Sequence, residues 1–299
     1  MNNVVSLNAY AEASQPARVR TASPIEFKAY ERPLWYEGKE GTRYGSTGHK
    51  ALIRMEGDAP TVLNVVKDTY KVVQNAELFD AVESGLRSVL GHQANSATIK
   101  DSIAHNGKLC YRQYAFSDIS IDSPERDRIV FRVIVVNGFG GSAIKLHAGA
   151  IDMFCTNGMI LGDFTSEYAK HTSGVKIAKF TDVVAGAVDI FWKNKGTWKM
   201  LRDTMIKNDD TVVEWLNKEF GERLGLKLYH QYLIEKKVRG GNNMWALYST
   251  LTHYSSHANG EFSLRNTKND HAAATMLGRE QTVRQVLQSG AWETLRRAA

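Results

Sequence analysis

Residues Ile129-Val-Phe-Arg-Val-Ile-Val-Val-Asn137 decide how the rest of the chain is read. Ile129, Phe131, Val133 and Val135 alternate with Val130, Arg132, Ile134 and Val136, so a β-strand here is apolar on both faces except at Arg132. Such a strand needs cover on both sides, which predicts a central position in a sheet. Its neighbours read as 98–116, with a turn at Asn106-Gly107, and 143–153. Loops at 122–127, containing Pro124, and at Asn137-Gly-Phe-Gly-Gly-Ser142 join them, which predicts an antiparallel meander.

Upstream, Lys50-Ala-Leu-Ile-Arg-Met55 and Thr61-Val-Leu-Asn-Val-Val66 flank turn residues and signal a hairpin. Tyr70-Lys-Val-Val-Gln-Asn75 is strand-like, and Leu78, Val82, Leu86 and Val89 predict an amphipathic helix over 77–90, closed by Gly91. Residues 1–45 have no sustained period and are expected to form a flexible arm whose Leu34-Trp-Tyr36 docks on the body of the protein. Downstream of the meander the period becomes 3.6. Phe180, Val184, Ala187 and Phe191, widened by Val183, Val188 and Trp192, predict a buried helix packed across the sheet. Further helices are expected at 198–207, 211–224 with Asp210 as N-cap, 226–237, 243–257 and 270–295, with breaks at Gly221, Gly225 and Gly240-Gly241. The expected class is α+β: an antiparallel β-meander packed by a long helix, then a helical C-terminal half. The corresponding division is an arm at 1–45, a core at 46–192 and a helical region at 193–299.

The 299 residues are 43% hydrophobic and 23% charged with two cysteines, which excludes disordered and disulfide-scaffold classes. All five prolines lie at or before Pro124, leaving the second half free to be helical. Cys110 and Cys155 lack CxxC spacing, and neither a signal-peptide pattern nor a membrane-length apolar run is present. A reduced protein of the bacterial cytoplasm is expected. The net charge of +6 is unevenly spread: residues 61–169 sum to −2, whereas 170–240 sum to +5. A polyanion, if bound, is expected on the second stretch.

That stretch contains Phe191-Trp-Lys-Asn-Lys-Gly-Thr-Trp-Lys199, in which Lys193, Lys195 and Lys199 are interleaved with aromatics, extended by Lys176, Lys179 and Arg202. Single-stranded nucleic acid needs cations for phosphates and ring faces for bases. Phe191 and Trp192 continue the buried face and read as core; Trp198 reads equally as core or as a stacking face. A second basic segment, Lys236-Lys237-Val-Arg239-Gly-Gly, suits a phosphate backbone or a plain helix terminus. Arg112 and Arg132, single charges in β-forming runs, face solvent, a carboxylate such as Asp118 or Asp152, or a polyanion. Phe139 would sit at the tip of its hairpin loop, available as a wedge.

Other constellations read as structural. His253 and His257 share a helix face, with Asp270-His271 downstream, but two ligands at the right spacing fall short of a metal site. Cys155 with His171 lacks a nucleophile signature. No catalytic set, metal or cofactor is implied.

Tyr70-Lys-Val-Val-Gln-Asn75 with Glu77, Phe79 and Asp80, then Phe154-Cys-Thr-Asn-Gly-Met159, Lys170-His-Thr172, Trp245-Ala-Leu-Tyr-Ser-Thr-Leu-Thr-His-Tyr254 and Trp292 occur in an order that resembles a phage- and plasmid-borne family catalogued as a domain of unknown function. The resemblance spans about 50–297 and implies mobile-element biology, with no catalytic residues to carry over. The order of helix, antiparallel meander and long helix is also similar to the core of phage single-strand annealing proteins, a likeness of architecture alone. Together these imply a single-stranded DNA-binding, strand-annealing homo-oligomer serving recombination or replication. The alternative is a host-modulating protein-interaction factor with no nucleic-acid ligand.

Overall fold

The computed structural model describes residues 23–37, 43–122, 128–139, 143–152, 157–159, 166–169, 177–257, 262 and 272–299. Two antiparallel sheets occupy the N-terminal half and helices the C-terminal half, so the fold is α+β. The first sheet contains β1 (Tyr30–Glu37), β2 (Arg43–Glu56) and β3 (Ala59–Lys67). After α1 (Asn75–Leu90) and a 3-10 turn, β4 (Ala97–Ala104), β5 (Leu109–Asp122), β6 (Arg128–Gly138), β7 (Ile144–Asp152) and β8 (Asn157–Met159) follow in spatial order, and β9 (Ser166–Ala169) also pairs with β7. The helices α2 (Ile177–Asp203), α3 (Asp209–Phe220), α4 (Glu222–Val238), α5 (Met244–Ser256), α6 (Ala272–Leu287) and α7 (Gly290–Ala298) complete the described chain.

β6 is central, as its two apolar faces require. Ile129, Phe131, Val133 and Val135 are buried on the side covered by α1 and α2, where the Phe131 and Phe191 rings meet edge-on at 5.7 Å. On the reverse side Val136 and Ile134 pack with Tyr111 and Ala104 under Ala274 and Leu277 of α6. Helices on both faces explain why no alternation of apolar and polar residues marks this strand. Burial is complete on every face over the first turns of α5, whose residues 244–252 are all inside; its Thr250, Thr252 and Ser255 hydroxyls donate to carbonyls three or four positions earlier, which satisfies them locally.

Several local expectations are corrected. Residues 30–37 form β1, paired along β2, and Ile25 and Ala29 are buried ahead of it. Their anchor is Gln74, whose side-chain amide donates to the Ala29 carbonyl and accepts from the Ala29 N–H, both at 3.0 Å, imitating a strand partner. For the same reason residues 70–74 are not a strand: their polar side chains hold other segments. Asn75 donates to the Ile25 carbonyl and accepts from Asn137, which also donates to the Val73 carbonyl.

The long helix α2 does not stop before Trp198 but runs through Gly196 as one element of 27 residues. An exposed glycine costs a helix about 1 kcal/mol, and Trp198 and Leu201 continue the buried face begun by Phe191, which offsets it. α3 starts at Asp209 with Asn208 as N-cap, its side chain accepting from the Asp210 N–H at 2.9 Å. Gly221, at φ 78°, ends α3. Gly225 is no break; it lies in α4, where a Cβ would come within 2.9 Å of the Asn217 backbone, so it permits the close crossing of α3 and α4. The expected helix over 270–295 is two helices, separated where Ser289 caps α7 by accepting from the Trp292 N–H at 3.2 Å. Phe139 is buried against Phe27 and is not an exposed tip. No helix among the described residues is long and apolar enough to cross a membrane.

Candidate nucleic-acid interface

The position of every side chain on α2 follows from which face meets the sheet. Phe180, Val184, Ala187, Phe191, Trp198 and Leu201 recur at helical spacing and are buried. Phe191 to Trp198 is seven residues, close to two turns, so Trp198 must return to the buried side. It is 4% exposed, edge-on to Phe191 at 5.9 Å, which removes it as a stacking face. Trp192 is rotated about 100° from Phe191 and is 45% exposed, reversing its expected place in the core. Lys195 and Lys199 follow Trp192 at i+3 and i+7 and share its face; Lys193 flanks it. All three lysines are exposed, and none is paired with a carboxylate among the described residues. Asp189 and Asp203 stand at the two ends of this stripe.

The remaining candidates separate by partner. Arg202 is half-buried at the end of α2. Lys236 donates to Asp209 at 2.7 Å, tying the end of α4 to the start of α3, whereas Lys237 is exposed. Arg239 is fully buried, donates to Glu235 at 3.2 Å and lies over the Trp245 ring at 5.6 Å, so it is part of the helical core and not of a basic surface. Arg112 donates to both Asp101 oxygens at 2.8 Å and to Glu83 at 3.0 Å, with its guanidinium over Phe79. Its hydrogen bonds to Asp101 hold its pKa above the usual arginine range. Arg132 pairs with Glu280 in the interior. Both strand arginines therefore meet carboxylates, neither of them Asp118 or Asp152. Lys176 lies outside the described residues, as does the side chain of Lys179.

The histidine pair is packed ring on ring. The His253 and His257 rings stack at 4.1 Å, and His253 Nδ1 lies 3.8 Å from Glu235. Burial, with the neighbouring His257, pushes His253 down to about 4. No group of three or more His, Cys, Asp or Glu side chains that could hold a metal occurs among the described residues. Cys110 is buried, and burial pushes its thiol up to about 12. Cys155, His171, Asp270 and His271 lie outside the described residues.

A cavity of about 250 Å³ opens between α2, α5, α6 and α7. Trp198, Tyr248 and Trp292 wall it, and Thr197, Arg284 and Arg296 lie in its lining. Sequence reading misses this site, since its walls come from four helices and only Asn194, Thr197 and Trp198 fall in the basic segment.

A family model described as Domain of unknown function (DUF932) matches residues 62–282. The chain belongs to the DUF932 family. The match runs from β3 into α6, and so contains the meander, α2 and the Gln74 and Asn75 stitches. No curated protein and no solved structure matches significantly. In this DUF932 chain the motif 70–75 has an architectural role: it fastens the segment before β1 to α1 and to β6.

Proposed function

We propose that the chain binds single-stranded DNA along the outer face of α2 and serves strand annealing or coating in phage or plasmid recombination. The observation that carries this reading is the exposed Trp192 ring in line with Lys195 and Lys199, beside Lys193, with no carboxylate partner on any of these lysines among the described residues. Cations in sequence with an accessible ring meet the two needs of an unpaired strand, a neutralised backbone and a stacked base. The test is fluorescence anisotropy with a labelled thymidine oligonucleotide. Binding at low salt that weakens steeply as salt rises is expected; no binding at low salt overturns the reading.

The first sheet favours a second reading, a protein-interaction module. Pairing aligns Tyr30 with Ile53 and Val62, and the face they share includes Met55 and Val65, with Val62 55% and Val65 49% exposed. A contiguous apolar sheet face of this kind marks contact with another protein. Trp35 and Tyr36, expected to dock on the body, are also more than half exposed. Pull-down after nuclease treatment separates the readings: partners that survive nuclease and are lost on Val62→Glu favour this one.

A further inference from the structure

We infer that the outward face of α4 is one half of a helix-on-helix seam and docks an acidic, amphipathic helix of another protein; it involves neither α2 nor the first sheet. The first argument is what α4 keeps inside. Its buried side, packed against α3 and α5, holds Gln231 and Glu235 beside Leu228 and Tyr232. Its solvent side holds Leu226, Ile234 and Val238, which are 53%, 51% and 45% exposed. A surface helix that needs no further partner has the opposite distribution, with its apolar stripe turned to the core and its charges turned to water.

The second argument is spacing. Arg223, His230 and Lys237 recur every seven residues, close to two turns, so they form one row along the helix. Leu226 and Leu233 repeat at the same interval on one side of the row, and Ile234 and Val238 lie on the other. Positions 223, 226, 230, 233 and 237 thus alternate steps of three and four, the register in which one helix lies along another. All five are exposed except Leu233, which is half-buried.

The third argument is charge, which names the occupant. The basic row runs down the middle of the face, and none of its three side chains has a carboxylate partner among the described residues. The acids of α4 itself are Glu222, in the first turn, and Glu235, which is buried. A second copy of the chain would set like on like: parallel, each basic side chain meets its own counterpart, and antiparallel, Lys237 meets Arg223. Single-stranded DNA would find only aliphatic rows beside the cations and no ring on which to stack. A helix lying in a membrane surface has its cations on a separate polar face and not along the midline of the apolar one. Carboxylates set between the apolar side chains of a partner helix answer the row and leave the aliphatic rows covered.

The experiment titrates the full chain into two labelled three-heptad peptides that have leucine at the positions facing Leu226 and Leu233. One has glutamate and the other lysine at the positions facing the basic row. Fluorescence anisotropy is expected to show the glutamate peptide bound on the order of tenfold more tightly, since each facing pair changes from attraction to repulsion. Ile234→Glu, at an exposed position, is expected to weaken that binding by about tenfold with circular dichroism unchanged. Leu226→Glu is the second variant should Ile234→Glu lose its helical signal. Absence of binding, or equal affinity for the two peptides, overturns the seam. Binding that both substitutions leave unchanged also overturns it, because the peptide then sits elsewhere. Phosphatidylserine vesicles are the last arm: vesicle binding that Ile234→Glu abolishes, with no peptide binding, overturns the seam in favour of a lipid surface.

Discussion

Arg132 and Glu280, 148 positions apart, form a buried ion pair between the centre of β6 and the helix α6 on the reverse face of the sheet. The pair accounts for the one charge in an otherwise apolar strand. Removing one partner leaves the other charge buried alone, which costs about 3–5 kcal/mol. Glu280→Ala is therefore expected to lower stability by that amount in urea unfolding, whereas the double variant Arg132→Met with Glu280→Leu stays close to wild type. A loss below about 1 kcal/mol for the single variant would show that the pair behaves as a surface one.

Trp192 and Trp198 are expected to respond in opposite ways. Trp198→Ala empties a buried site and costs about 3–5 kcal/mol. Trp192→Ala changes unfolding little and weakens oligonucleotide binding several-fold. Thermal melts and anisotropy on the same two variants check both halves.

Neutralising Lys193, Lys195 and Lys199 to alanine removes three phosphate contacts. For single strands the slope of log affinity against log salt scales as about 0.7 per contact, so the slope is expected to shrink by about 2. An unchanged slope places the contacts elsewhere.

His147 is buried on β7, and burial, with Lys145, Arg132 and Arg284 nearby, lowers its pKa to about 4. A folded value below the unfolded one means that stability is full above about pH 6.5. It falls as the unfolded chain takes up a proton that the folded chain refuses, and levels off below about 4. The loss is on the order of 3 kcal/mol. His147→Gln is expected to flatten this part of the pH profile of the urea midpoint; a profile as steep as wild type would falsify the assignment to His147.

How much of the fold was legible depended on how local the signal was. The β6 alternation predicts a central strand because period and burial are tied residue by residue, and the α1 pattern is read for the same reason. Gly225 looks like punctuation but lies within α4, and α2 continues through Gly196, because the crossing at Asn217 and the packing of Trp198 and Leu201 outweigh the local cost of glycine. β1 is invisible because its residues are mostly exposed; its place comes from β2 and from Gln74. The basic segment of α2 was found, but which tryptophan faces out depends on helix phase relative to the sheet.

The sequence alone determined the α+β class, the central strand, the helical second half and the concentration of positive charge in 170–240, since periodicity and composition are properties of neighbouring residues. Tertiary structure alone decided that Arg112, Arg132 and Arg239 are answered by carboxylates while, among the described residues, Lys193, Lys195 and Lys199 are not. It also gathered Trp198, Tyr248, Trp292, Arg284 and Arg296 around one cavity. Such pairings join residues far apart in the chain, and the desolvation that makes a buried charge require a partner acts only once the helices have closed over the sheet.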